Sequence, residues 1–266
     1  LVGNVTILKL GGSAITRKAQ PSTPNTDVIK RLAHEIKKAH IKPLIIVHGG
    51  GSMAHPIAKK FRIKEGYQSP AQLTGFSKTH YAMVKLNELI LDALIRQGLP
   101  AVSLQPSASV MTENGRIRII ETKPLLKLLE LDCIPVLYGD AVLDTVLGFT
   151  ILSGDQLASN LAVNLKANRM VIGVDVDGVY TADPKLDPTA RLVKEITLGE
   201  LRKLKTKIGI SRAPDVTGGM LGKVNELIAA IEVEVPTIIV NATKPNRVYK
   251  ALKGERVVGT VITAGE

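Results

Sequence analysis

The chain has a single cysteine, no tryptophan and only 3% aromatic residues in its 266 positions. One cysteine excludes an internal disulfide framework. Cys133 stands in an apolar stretch before a strand pattern, and is expected to be a small core residue rather than a nucleophile. So few aromatic rings leave little with which to stack unpaired bases. Long hydrophobic runs are also missing: none approaches the ~20 residues that cross a bilayer. No signal peptide is visible, because the first residues lead straight into a strand pattern. The expectation is a cytoplasmic protein without a membrane partner. Internal repeats and low-complexity tracts are absent as well.

What is present is an ample core and an excess of positive charge. Hydrophobic residues make up 45% of the chain, and its formal net charge is +11. Such a charge invites nucleic acid as a partner. The basic residues are scattered along helices, however, as at Lys30, Arg31, Lys37 and Lys38, and no basic tail occurs. A small anionic substrate uses positive charge equally well, so no specific nucleic-acid partner is expected.

Apolar strand patterns alternate with helical ones. Val5–Leu10, Ile45–His48, Ile134–Tyr138, Met170–Val174, Pro236–Val240 and Val257–Ile262 read as strands. Asp27–Ala39, Leu73–Gln97, Gln156–Leu165, a stretch from Thr217 to Ile231 and Asn246–Leu252 read as helices. Residues 14–26 read as a loop. Hairpins are expected at 110–120, turning on Glu113-Asn114-Gly115, and at 141–151. This alternation predicts a mainly parallel sheet covered on both faces, with any division between two lobes near 151–153. Ligands in such sheets sit beyond the carboxyl ends of the strands. The candidate motifs fall there: Gly11-Gly12, Gly49-Gly50-Gly51, Tyr138-Gly139-Asp140 and Asp175.

Glycines at a strand-to-helix turn let backbone N–H groups approach an anion, and the following helix adds its positive end. The bland alternative is a tight turn between packed elements. Neither glycine cluster has the spacing of a Walker A loop or a dinucleotide fingerprint. Lys9, inside an apolar run, either snorkels to solvent or holds a partner. Asp155 at a helix start is by itself a plausible N-cap. His34 and His40 look like surface residues, His48 supports its loop, and His80 faces either substrate or solvent.

Taken together, Lys9-Leu10-Gly11-Gly12-Ser13, His48-Gly49-Gly50-Gly51-Ser52, Asp175-Val176-Asp177-Gly178-Val179-Tyr180 and Asp215-Val216-Thr217-Gly218-Gly219-Met220 with Lys223 resemble the amino acid kinase superfamily. The resemblance covers essentially the whole chain, in order. Within the superfamily, the chain is similar to the archaeal type of isopentenyl phosphate kinases. The pieces that carry this are Ile15-Thr16-Arg17-Lys18, His55-Pro56, Gln105-Pro106-Ser107-Ala108, Tyr138-Gly139-Asp140 and Ser153-Gly154-Asp155. One departure is Met53-Ala54, where those kinases usually have Phe-Gly.

The resemblance implies a three-layer αβα sandwich around about eight strands, with residues 1–152 forming an acceptor-binding lobe and 153–266 a nucleotide-binding lobe. It implies a homodimer that transfers the γ-phosphate of ATP, accompanied by Mg2+, to isopentenyl phosphate. Lys9, Lys18, His55, Asp155 and Lys223 would carry catalysis. ATP would meet Lys9, Gly11, Gly12, Ser13, Gly51, Asp175, Tyr180, Asp183, Gly219 and Lys223. The acceptor would meet Lys18, Gly50, His55 and Gly154, with its tail against a stripe of Phe76, Met83, Asn87 and Ile90. Ordinary core packing is the alternative for that stripe. No dedicated metal site is expected. The competing readings are a kinase for another small phosphate or phosphonate, such as fosfomycin, and a non-catalytic nucleotide sensor.

Overall fold

The computed structural model describes residues 4–17, 20, 22–182, 187–203 and 216–265, the last segment without the side chains of 216–221. Eight strands form the main sheet: β1 (Thr6–Leu10), β2 (Leu44–His48), β3 (Ala101–Ser103), β6 (Ile134–Tyr138), β9 (Arg169–Val174), β10 (Glu195–Thr197), β11 (Thr237–Asn241) and β12 (Gly259–Thr263). Their order is β10-β12-β11-β9-β1-β2-β6-β3. Every neighbouring pair is parallel except β11 with β12. This is the expected mainly parallel sheet.

Helices cover both faces, as the all-buried pattern of β1, β2 and β6 requires. Ile7, Ile45, Val47 and Leu137 pack in one cluster with Leu157 and Leu161 of α7 (Gly154–Asn164) and with Leu227 and Ile231 of α8 (Val216–Glu232). The alternate residues Leu8, Leu10, Ile46 and Val136 pack in the other. Their partners lie on α2 (Thr26–Ala39), α4 (Ala71–Arg96) and α9 (Arg247–Lys253). Lys9 has the parity of Ile7, so the strand itself aims it toward the α7 side.

Both expected hairpins form, and they join into a separate sheet. Its strands are β4 (Val110–Glu113), β5 (Arg116–Ile120), β7 (Asp140–Asp144) and β8 (Gly148–Leu152), in the order β5-β4-β7-β8. One carboxylate holds both turns. Asp144 accepts from Asn114 N, Gly115 N, Val146 N, Leu147 N and the Thr112 hydroxyl. Burial alone would raise this carboxyl, but the donors from Leu147, Gly115, Thr112 and Val146 outweigh it and hold it far below the usual range.

Two local expectations, the loop from residue 14 and the core placement of Cys133, need correction, and one short helix lies where none was expected or excluded. The stretch read as loop from residue 14 begins with a helical turn, α1 (Gly12–Ile15). Pro106–Ser109 is helical (α5), because Pro at the first turn presets φ and lacks an amide that would go unpaired there. Cys133 is half-buried rather than in the core, with its Sγ 3.9 Å from the Leu131 carbonyl. Two further helices are α3 (Gly51–Lys60) and α6 (Lys123–Glu130).

Candidate active site

Four adjacent parallel strands, β9, β1, β2 and β6, end side by side, and each ends in one of the motifs singled out above. The chain runs from β1 toward β2 on one side and returns to β9 on the other, so β1 and β9 flank the point where the strand order reverses, where α/β sheets open a crevice. Hydrogen bonding continues past the strand ends. Gly11 N donates to Gly173 O at 2.7 Å, Gly49 N to Leu10 O at 2.9 Å, and Gly139 N to His48 O at 2.9 Å. The first two glycine turns press against each other. A Cβ on Gly12 would lie 2.1 Å from Gly51 N, and Gly51 has φ +49°, so neither position admits a side chain. Two long helices start at this edge, α3 at Gly51 and α7 at Gly154. Their first amides have no acceptor within the helix.

Beneath these helix starts lies a buried charge cluster. Lys9 is 1% exposed, and its Nζ is 2.5 Å from Asp155 Oδ1. Lys223 Nζ is 3.4 Å from Asp155 Oδ2. Lys9 therefore holds a partner and does not snorkel. Burial pushes the Lys9 ammonium below its ordinary value, against the attraction of Asp155, and the positive charge of Lys223 adds to the lowering. Burial would raise the Asp155 carboxyl, but Lys9 and Lys223 together hold it below the usual carboxylate range. Asp155 is not the helix cap: Ser153 Oγ fills that role, accepting from Gln156 N at 3.0 Å. Two ammonium groups around one carboxylate leave one positive charge in excess, next to helix N-termini. That arrangement attracts an anion.

His55 lies in the second turn of α3 and is exposed. Desolvation by the surrounding protein, then the positive charges of Lys223 and Lys9, push its imidazole below the ordinary value, and a ring N–H can donate to an anion in either protonation state. On the β9 side, Ser13 Oγ donates to Asp175 Oδ1 at 2.7 Å, tying the first glycine turn to the end of β9. Tyr180 pairs by an isolated bridge with Leu192, and Gly219 lies in the first turn of α8, one turn before Lys223. Lys18 and Asp183 fall outside the described residues.

The proposed tail stripe on α4 divides. Met83 is buried with Ala54, Ala82 and Tyr138, and its Sδ would be 2.6 Å from a Cβ on Gly50. Phe76 belongs to a neighbouring cluster with Ile63, Ala141 and Phe149, its ring 5.0 Å from that of Phe149. Asn87 instead donates from Nδ2 to His48 Nε2 at 3.2 Å. Ile90 packs in the core between α4 and the sheet. The helical period marks the buried face of α4 but not where that face passes from site to core.

Sequence reasoning left His80 undecided and missed its partner. His80 Nδ1 is 3.0 Å from Asp140 Oδ1, and Ser107 N donates to Asp140 Oδ2 at 3.3 Å. Sixty residues separate His80 from Asp140, so no local pattern carries the pair. His48 is fully buried and stacked on Tyr138, with ring centroids 5.3 Å apart. Its Nδ1–H donates to Gly49 O at 3.3 Å, which supports the loop as expected.

A doubly covered parallel sheet with glycine turns at its strand ends, over a lysine–carboxylate–lysine cluster, defines an α/β protein built to hold phosphate. Residues 4–241 match the model of the amino acid kinase family, and the chain belongs to that family. It is 43% identical over 264 residues to isopentenyl phosphate kinase of Methanothermobacter thermautotrophicus, covering 97% of this chain and 98% of that one. It is 36% identical over 273 residues to isopentenyl phosphate kinase of Methanocaldococcus jannaschii, covering 98% and 100%. An X-ray structure of isopentenyl phosphate kinase superposes with a TM-score of 0.86 at 40% identity, covering 98% of this chain and all of that one.

Proposed function

We propose that the chain is a kinase that transfers the γ-phosphate of ATP to isopentenyl phosphate, giving isopentenyl diphosphate. The observation that carries the reading is Asp155 held between Lys9 and Lys223 at the meeting point of the glycine turns, in a chain similar over nearly its whole length to isopentenyl phosphate kinases. The acceptor is already an anionic oxygen at neutral pH, so no strong general base is needed. The work left to the protein is positioning, and neutralising charge crowded between two phosphates.

Lys9 and Lys223 would hold the ATP phosphates and the group in transfer, with Asp155 fixing where both ammonium groups point. Gly11, Gly12, Ser13 and Gly51 would present backbone to ATP, and Asp175, Tyr180, Asp183 and Gly219 would surround the rest of the nucleotide. His55, Gly50 and Gly154 would receive the acceptor phosphate. Lys18 joins them on the resemblance alone. Met83 and Phe76 would bound the prenyl tail. Residues 1–152 would supply most of the acceptor site, and the nucleotide site would draw on both halves, with 153–266 surrounding the nucleotide beyond its phosphates. Magnesium would travel with ATP, held by phosphate oxygens and water. Among the described residues no three His, Cys, Asp or Glu side chains converge to hold a metal, and no step here runs through one. A cytoplasmic homodimer completes the reading, on the resemblance. No helix among the described residues is long and apolar enough to cross a membrane.

Phosphorus NMR of the protein with Mg-ATP and a panel of acceptors tests this. The panel holds isopentenyl, dimethylallyl and geranyl monophosphates, fosfomycin, acetylglutamate and UMP. Diphosphate signals appearing fastest with isopentenyl phosphate are the expected result. Turnover of fosfomycin or acetylglutamate alone would replace the acceptor. ATP binding without any turnover would favour a nucleotide sensor.

A further inference from the structure

The two glycine turns meet without a side chain on either, yet they are joined by one from elsewhere. Thr16, just past α1, is 2% exposed. Its hydroxyl donates to Gly12 O at 2.7 Å and accepts from Ser52 N at 2.9 Å. Gly12 belongs to the first turn and Ser52 to the second. The residue at the N-cap of α3, Gly50, offers no side chain to cap it, so Thr16 serves as a cap delivered from another part of the chain. The hydroxyl also fills the space beside Gly51, 2.2 Å from where a Cβ there would lie. The segment after Thr16 reinforces the joint: Thr16 bridges to Pro24, and Ser22 N donates to Ser52 O at 3.0 Å.

We propose that Thr16 is a positioning residue, whose hydroxyl sets the spacing between the turn Gly11–Ser13, which holds ATP, and the turn Gly50–Ser52, which offers Gly51 to ATP and Gly50 to the acceptor. This rests on the proposed kinase reading, in which those turns hold the two phosphates that react. Thr16 itself touches neither substrate. Each turn keeps its own donors when the hydroxyl is removed, so each substrate still binds; what changes is the distance between the reacting atoms. Effects of that kind fall on kcat rather than KM.

The test compares Thr16→Val, which keeps the shape and loses both hydrogen bonds, with Thr16→Ser, which keeps them. Thr16→Val is expected to lower kcat by about 10- to 100-fold, the scale of a small misplacement, with KM for ATP and acceptor changed less than about twofold. Thr16→Ser is expected to stay within about threefold of wild type, since both hydrogen bonds survive. A merely structural role would lower the melting temperature of Thr16→Val and leave kcat per folded enzyme unchanged; that result, or equal losses in both variants, overturns the proposal. Should Thr16→Val not fold, amide hydrogen exchange in the wild type decides. Ser52 N–H is expected to be protected like Met53 N–H, and free exchange there overturns the clasp. If the wild type turns over no prenyl phosphate, the kinase reading fails by itself, and the exchange measurement still judges the clasp.

Discussion

Asp155 is the residue on which the charge of the site depends. Replacing it with Asn keeps the shape and removes the negative charge, leaving Lys9 buried next to a second ammonium group. Both burial and Lys223 already lower Lys9, and only Asp155 opposes them. In Asp155→Asn, Lys9 is expected to lose its proton more readily than in wild type, and kcat to fall on the order of 10²–10³-fold. Because Lys9 regains charge as pH falls, the variant should recover relative to wild type toward lower pH; a pH–rate profile parallel to wild type would contradict this. His55→Ala removes a donor from the acceptor side only. It should raise KM for isopentenyl phosphate roughly 10- to 100-fold and leave KM for ATP nearly unchanged in steady-state kinetics. Equal effects on both would make His55 structural. His48 acts on stability instead. Burial lowers its imidazole from 6.5 to about 4, so the unfolded chain takes up a proton first as pH falls. The stability it contributes is full above pH 6.5 and is lost down to about pH 4, by about 3 kcal/mol. Urea unfolding of wild type and His48→Gln at pH 7 and pH 4 should show wild type losing that much more than the variant.

Among the elements, α4 shows what a sequence can and cannot tell. Its 3.6-residue period was enough to expect a long helix over 73–97, and the helix runs from Ala71 to Arg96. The strands were legible because parallel strands buried on both faces are continuous apolar runs, and the glycines mark their ends. What the period does not carry is register against distant partners. Met83 lies under Gly50 while Ile90, two turns on, lies in the core. Lys9 and Asp155 are 146 residues apart, and His80 and Asp140 sixty; Thr16 reaches both glycine turns from outside them. The charge pair was recoverable only through resemblance, and the other two contacts become visible only once the chain is folded. Met83 itself yields a test. Truncation to Ala opens space between α4, Ala54 and Tyr138, at a stability cost of about 2–4 kcal/mol. Relative kcat/KM for five-, ten- and fifteen-carbon monophosphates should shift toward the longer chains. An unchanged preference would assign Met83 to packing alone.

At the scale of the molecule, the 1–152 and 153–266 halves share one sheet. β1 pairs along its length with β2 on one side and with β9 on the other, so the seam between the halves is an internal strand pair. The face of β1 that carries Ile7 is covered by α7 and α8, both from the second half, and Lys9 on that face has its counter-charge there too. Separating the halves would expose an unpaired strand edge and an apolar sheet face, and would leave Lys9 buried or exposed without Asp155. Unfolding is therefore expected to be one cooperative transition by calorimetry and by circular dichroism, although the chain exceeds the usual size of two-state domains. A fragment ending at residue 152 should not fold alone. ATP at about 100 times its Kd should raise the single transition by about 5–10 °C, since about 2.7 kcal/mol of linkage is spread over a chain of this size. Two resolved transitions, with only the later part of the chain shifted by ATP, would instead mean that the halves are separate folding units and that the β1–β9 seam contributes little.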